Sequence, residues 1–231
     1  EIGVIEDMGV EIRTGVCFGR DVTLQGLRDQ GYQAFFIATG LHRSRPLNVE
    51  GEDHPDVLKG VDFLRDAALK QPAKVGKRVL VVGGGNVAVD VALTARRVGA
   101  QEVSLVCLEK REEMPAWDYE IEEAIEEGVK IVNSQGPKRF LQKDGVLTGV
   151  EFKRCTAVFD ENHAFRPRYD ETDLTTIEAD TVIVAIGQAA DLSFSETDGI
   201  AASRWGGLEA DRFTLETPIP GVFAGGDALY G

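Results

Sequence analysis

The sequence predicts an α/β fold built on a parallel sheet, and three observations predict it. First, short apolar, β-rich runs end in glycine at 35–40 (FFIATG), 79–83 (VLVVG), 182–187 (VIVAIG) and 222–225 (VFAG). Continuous apolar runs of that length read as strands buried on both faces, as parallel strands covered by helices are. Second, the pattern alternates strand, helix, strand, helix, strand over 79–133, a βαβ series with right-handed crossovers. Third, glycine makes up 26 of 231 residues with no low-complexity tract to account for it, so the glycines mark turns between elements.

The elements follow in order. Over 86–98, Ala88, Val91, Ala92, Ala95 and Val98 fall at helical spacing, and Gly99 stops the helix. A second helix spans about 117–127, ends at Gly128 and carries the acids Glu120, Glu122, Glu123, Glu126 and Glu127 on its outer face. That face reads as solvated, with a docking surface as the alternative. Two alternating runs over 137–155 flank Lys143-Asp144-Gly145, where Asp-Gly favours a tight hairpin, so an antiparallel insert is expected. The polar stretch 160–176 reads as a long loop or a weak strand in that insert. Polar breaks at 67–77, including Lys70-Gln71-Pro72-Ala73-Lys74 and Gly76, and at 188–195 divide the chain into 1–75, 76–187 and 188–231.

Composition excludes several classes. Acids number 39 against 25 Lys plus Arg, a net charge of −14 that repels phosphate polymers and anionic surfaces, so neither a nucleic-acid nor a membrane partner is expected. No apolar run reaches the roughly 20 residues of a membrane-spanning helix, and Glu1 opens an acidic segment without a targeting signal. Cys17, Cys107 and Cys155 are scattered and odd in number, which fits neither a disulfide framework nor a metal cluster, and no C-x-x-C occurs. A reducing cytoplasm is the expected compartment, with all three thiols as small buried side chains.

The sharpest motif is Gly83-Gly84-Gly85-Asn86-Val87-Ala88, which matches G-x-G-x-x-A after a strand and at the head of a helix. Gly83 allows the tight turn, Gly85 lets the backbone approach a pyrophosphate, and Ala88 keeps helix and sheet close, while the helix N-terminus offers free N–H groups. A Rossmann-like dinucleotide-binding domain is therefore expected, with a bare glycine turn as the plain alternative. The second strand, 103–108, leads to Glu109, where such folds meet the adenosine ribose. A carboxylate there accepts both ribose hydroxyls and repels a 2′-phosphate, which favours NAD. Lys110 and Arg111 offer charge to a phosphate, so NADP stays open. Asn86 is placed to cap the helix or touch the dinucleotide. Asp90, four residues on, reads as an early-helix acid, with a bond toward a flavin side as the alternative. Met114-Pro115 reads as an apolar residue tucked before a helix, with Pro at its start.

Thr217-Pro218-Ile219-Pro220-Gly221-Val222-Phe223-Ala224-Gly225-Gly226-Asp227 resembles the C-terminal flavin-binding signature of FAD-dependent pyridine nucleotide-disulfide oxidoreductases. Ile37-Ala38-Thr39-Gly40 is similar to that superfamily's turn out of the FAD domain, and Ala185-Ile186-Gly187-Gln188 to its counterpart on the return. Gly83 to Asp90 together with Arg111-Glu112-Glu113-Met114-Pro115-Ala116 resembles the small subunit of glutamate synthase and its relatives, including the flavin half of dihydropyrimidine dehydrogenase. The resemblance runs from a strand at Glu11-Ile12 to Asp227.

It implies a nicotinamide-binding domain over 76–187 with an antiparallel β insert, flanked by remnants of a split FAD-binding domain at 1–75 and 188–231. Thr39, Gly40, Ala185, Ile186, Gly187, Gly226 and Asp227 would join the glycine turn, Glu109, Lys110 and Arg111 in cofactor binding. NADPH-using relatives carry paired arginines where this chain has Leu108 and Glu109. The family's iron–sulfur region and first G-x-G-x-x-G have no match here, so the chain is expected to be an internal piece that binds FAD weakly or not at all by itself.

The expected function is a component of an NAD(P)H-dependent flavoprotein oxidoreductase that passes hydride between nicotinamide and FAD. Electrons then go to a downstream electron-accepting subunit or domain. No side chain is singled out as catalytic, since the two cofactors are the reagents. The alternative is a nucleotide-binding or interaction module without catalysis of its own. A short-chain dehydrogenase is excluded, because the residues four after Tyr32, Tyr119 and Tyr169 are Phe36, Glu123 and Asp173 rather than Lys. His42, His54 and His163 form no zinc-ligand pattern with the cysteines.

Overall fold

The computed structural model describes residues 1–71, 75–194, 198–204 and 206–230. It divides into two compact units, one formed by Ser44–Gln188 and the other by Glu1–Arg43 with Ala189–Gly231. Of the polar breaks read from the sequence, Pro72, Ala73 and Lys74 in the first and Ser195 in the second lie outside the described residues.

The larger unit is layered. Its centre is a five-stranded, all-parallel sheet. The strands are β3 (Val57–Lys59), β4 (Arg78–Val82), β5 (Glu102–Val106), β6 (Val129–Val132) and β10 (Thr181–Val184), in the order β3-β10-β4-β5-β6. Three helices, α3 (Gly60–Ala68), α4 (Asn86–Arg97) and α5 (Asp118–Glu126), accompany them. Because side chains alternate along a strand, Val79 and Val81 of β4 join Val91, Ala92 and Ala95 of α4 in one core, while Leu80 and Val82 face the other way. That second core is completed by an antiparallel sheet, β7 (Gln135–Lys143), β8 (Val146–Phe159) and β9 (Phe165–Glu178), through Phe140, Leu147, Val150 and Phe152. The four residues of β10 are all buried, as a strand covered on both faces must be.

The β7–β8 hairpin turns at Asp144 and Gly145, with φ of 54° and 76°. Two successive positive φ values are the two-residue turn whose twist matches antiparallel strands, as Asp-Gly predicts. Of the two readings of the polar stretch 160–176, the strand holds: most of it forms β9, a 14-residue strand paired with β8 and largely exposed. Its main-chain ladder supplies the pairing while its outer face stays in water, so no apolar periodicity announced it. Residues 44–71, read from loop composition as part of the first segment, stand in this unit, because β3 pairs with β10 and Phe63 of α3 enters its core.

The smaller unit contains α1 (Ile2–Asp7), α2 (Leu24–Asp29), β1 (Phe35–Ile37), β12 (Val222–Ala224) and α6 (Asp227–Tyr230). Strands β2 (Arg43–Ser44) and β11 (Gln188–Ala189) fall where the chain passes between units. β1 and β12 pair in parallel, and Leu24, Ile37, Leu208, Val222 and Ala224 form its core. Phe36 is 62% exposed, so β1 is not covered on both faces as its apolar run suggested. Glu11 and Ile12 form no strand; both are exposed and lack a neighbouring strand to pair with.

Candidate dinucleotide site

β4 ends at Val82, and the chain turns through Gly83–Gly85 into α4. The Gly83 N–H donates to Val106 O at 2.9 Å, and the Ala185 N–H to Val82 O at 2.8 Å, so the turn is tied to the strands on either side. Gly83 has φ of 147°, and a Cβ there would collide with the Ala185 carbonyl and approach the Ala88 Cβ to 3.1 Å. Gly83, Ala88 and Ala185 therefore pack as one small-residue junction between sheet and helix. At Gly85 a Cβ would meet only Pro115 Cγ, at 3.9 Å, which leaves the backbone open to an approaching group.

Gly85 is the residue at the helix cap and supplies no side-chain cap. Asn86 does not cap either: its Oδ1 accepts the Trp117 N–H at 3.1 Å. The first amides of a helix have no intrahelical partner, and with the positive end of the macrodipole they suit a diphosphate. The Val87 side chain packs against the helical core. Asp90 is exposed on the outside of α4.

Glu109 arrives at this turn from the end of β5. Its carbonyl accepts the Ser134 N–H at 3.0 Å and Asn133 Nδ2 at 3.1 Å, which fixes its backbone. Its carboxylate lies over Gly84, where a Cβ would come within 2.7 Å of Oε2 and 3.0 Å of Cys107 Cβ. Only glycine at 84 leaves room for that placement. The neighbouring Cys107 thiol is pushed up to about 12, by burial first and then by the Glu109 charge.

Lys110 and Arg111 are turned to other acids. Lys110 Nζ sits 3.4 Å from Glu113, and Arg111 Nη1 donates to Asp118 at 2.9 Å. The loop between them and α5 closes over one side of the turn: Met114 and Ala116 are buried, and the Ala116 N–H donates to Gly84 O at 3.2 Å. Pro115 does not begin α5, which starts at Asp118; it leans on Gly85 instead.

Ile186 and Gly187 follow Ala185 beyond the end of β10. Ile186 is 37% exposed, and Gly187 O accepts the Arg45 N–H at 3.1 Å. Both lie past the carboxyl ends of the parallel strands, the side on which open α/β sheets bind ligands.

In the smaller unit the Gly225 N–H donates to Ile37 O at 3.0 Å. Thr39 and Gly40 therefore leave β1 beside the point where Gly226 and Asp227 leave β12. The Thr39 hydroxyl is buried without a hydrogen-bond partner, and Asp227 is exposed at the start of α6. An orphaned hydroxyl and a free carboxylate at the ends of parallel strands fit the polar middle of a dinucleotide such as FAD.

Sequence reasoning missed Asn133, whose Nδ2 also reaches Cys107 Sγ at 3.3 Å. It missed Gln135 as well, 9% exposed with Oε1 buried and unpartnered. A polar pair just past a short apolar strand was the available signal.

Residues 5–231 match the family profile described as pyridine nucleotide-disulphide oxidoreductase. The chain is 42% identical over 236 residues to the beta subunit of NADP(+)-dependent formate dehydrogenase of Moorella thermoacetica, covering 100% of this chain and 33% of that protein. It is 32% identical over 246 residues to the NADPH glutamate synthase small chain of Azospirillum brasilense, covering 100% of this chain and 50% of that one. The chain thus spans half or less of these relatives. Among solved structures, FprA of Mycobacterium tuberculosis in complex with NADPH shares the fold, with a TM-score of 0.77 at 18% identity over 94% of this chain and 62% of that one.

Proposed function

The chain belongs to the pyridine nucleotide-disulphide oxidoreductase family, and from that premise we propose that it is the nicotinamide-binding part of a flavoprotein oxidoreductase component. It passes hydride between NAD(H) and FAD, for onward transfer to an electron-accepting subunit or domain, in the manner of a glutamate synthase small chain. The observation that carries this reading is the Glu109 carboxylate resting over Gly84 at the head of α4.

The chain's own residues bind and orient. The Gly83–Gly85 backbone and the first amides of α4 take the diphosphate, and the Glu109 carboxylate accepts from the ribose hydroxyls. The buried Met114 and Ala116 exclude water from one flank of the turn. Thr39 and Asp227 would hold the flavin's polar middle, and the flavin, when bound, supplies the two-electron acceptor that no side chain provides. The coenzyme named for both relatives is the phosphorylated one. A carboxylate at 109, with Lys110 and Arg111 engaged by Glu113 and Asp118, supports NAD(H) for this chain.

The test is turnover of NADH with an artificial electron acceptor. The chain completed with the flavin-binding region and loaded with FAD is expected to reduce the acceptor, and the 231-residue chain alone is not. Oxidation of an alcohol or hydroxy acid by the chain itself would instead favour a plain dehydrogenase. Dinucleotide binding without turnover in every form would favour a non-catalytic module.

A further inference from the structure

Glu109 is braced from a layer that the dinucleotide-binding motif does not include. Ser134, whose N–H holds the Glu109 carbonyl, in turn accepts the Cys155 N–H of β8 at 2.9 Å. Cys155 is paired across the ladder with Tyr169 of β9. The Tyr169 ring lies over Gly136, where any Cβ would collide with it, and Leu108 closes over the same glycine, with Cδ2 at 3.0 Å from that Cβ position. A side chain of β9 and one from the segment just past β5 thus share the space a side chain at 136 would take, and the second immediately precedes Glu109.

The ring also carries a cation. Lys153 Nζ stands 4.2 Å from its centroid and 2.7 Å from Glu171. The phenol is pushed up to about 12, by burial first and then by charges that include Cys155, Glu171 and Glu109, so it stays neutral near pH 7.

We propose that Tyr169 is a positioning residue for coenzyme choice: sharing with Leu108 the space over Gly136, it holds the Leu108–Glu109 segment beyond β5 in the place where the carboxylate selects the ribose. The inference rests on the reading of Glu109 as the ribose-selecting group. Without the ring, Leu108 settles toward Gly136 and the Leu108–Glu109 segment shifts with it, which weakens discrimination against a 2′-phosphate.

The readout is the ratio of NADPH to NADH dissociation constants for the 231-residue chain, measured by titration. Tyr169→Phe keeps the ring and is expected to keep the parent ratio. Tyr169→Leu is expected to lower it about tenfold, the size of one charge-assisted hydrogen bond. Leu108→Ala empties the other part of the space over Gly136 and gives the same loss, which preserves the test should Tyr169→Leu not fold. A role in general stability would weaken both dinucleotides alike and leave the ratio unchanged. Glu109→Gln separates the two levels of the argument. If it collapses the ratio while Tyr169→Leu and Leu108→Ala do not, the role of Tyr169 is overturned and that of Glu109 stands. If Glu109→Gln itself leaves the ratio unmoved, both are overturned.

Discussion

At the scale of single residues, small side chains and buried thiols decide what the site can be. Gly83 combines a φ of 147° with contact against the Ala185 carbonyl, so Gly83→Ala adds backbone strain to a main-chain collision. A loss of about 1–3 kcal/mol is expected in urea unfolding, together with loss of dinucleotide binding. The cysteines divide by exposure: Cys107 and Cys155 are buried and Cys17 is exposed, which corrects the expectation that all three are buried. In the native chain one thiol is expected to react promptly with an aromatic disulfide reagent and two only on unfolding. Cys107 also sets a pH dependence. Its folded pKa is raised from 9.0 to about 12, so the folded state binds the extra proton in that interval. Its contribution to stability is complete below pH 9 and declines as the pH rises toward 12. Chemical unfolding at pH 8 and pH 10 checks this, and stability rising with pH over that interval through this residue would contradict it.

The glycine turn was legible at this scale because its chemistry is local. Three small positions and a flanking strand and helix suffice to specify it. The partners of Lys110 and Arg111 were not legible, since Glu113 and Asp118 are recognisable as partners only once the 111–113 turn and the start of α5 bring them into reach. Tyr169 lies 60 residues from Glu109 in sequence. Nothing in either neighbourhood announces that two sheets bring them to one end of the unit.

Among elements, β8 does the most to join the layers. It is the middle strand of the antiparallel sheet, and its Phe152 is fully buried in the core shared with Leu80, Val82 and Val106 of the parallel strands. Phe152→Ala is expected to cost about 3–5 kcal/mol, measured by urea denaturation, because neither sheet can collapse into the space without breaking its ladder. A cost under about 1 kcal/mol would show that the layers are not packed as described. The parallel strands were readable because burial on both faces leaves an unbroken apolar run. β9 was legible only as the weak-strand alternative to a loop, because an edge strand with water on its outer side needs only main-chain pairing, and its charges follow the rule for exposed edges.

For the whole molecule, the two units differ in how complete their sites are. The larger one contains a turn, a 12-residue helix and a carboxylate on a braced backbone in a single packed body. The smaller one offers Thr39 and Asp227 at the ends of a two-stranded pair. The 231-residue chain expressed alone is therefore expected to purify without appreciable flavin. A yellow preparation with FAD near one per chain, judged by its visible absorbance, would contradict that. Net charge and the absence of any helix long and apolar enough to cross a membrane among the described residues were both legible from composition. The placement of residues 44–71 was not, because a three-residue strand such as β3 is recognised only by the sheet it joins.

The most direct measurement is a calorimetric titration of the chain with NADH and NADPH side by side, repeated on Glu109→Gln. NADH is expected to bind tenfold or more tightly than NADPH, by about 1.5–3 kcal/mol for hydrogen bonds to a charged group, and the substitution is expected to erase most of that difference. Tighter binding of NADPH, or binding of neither dinucleotide, would contradict the assignment of the Gly83–Ala88 turn and Glu109 as an NAD(H) site.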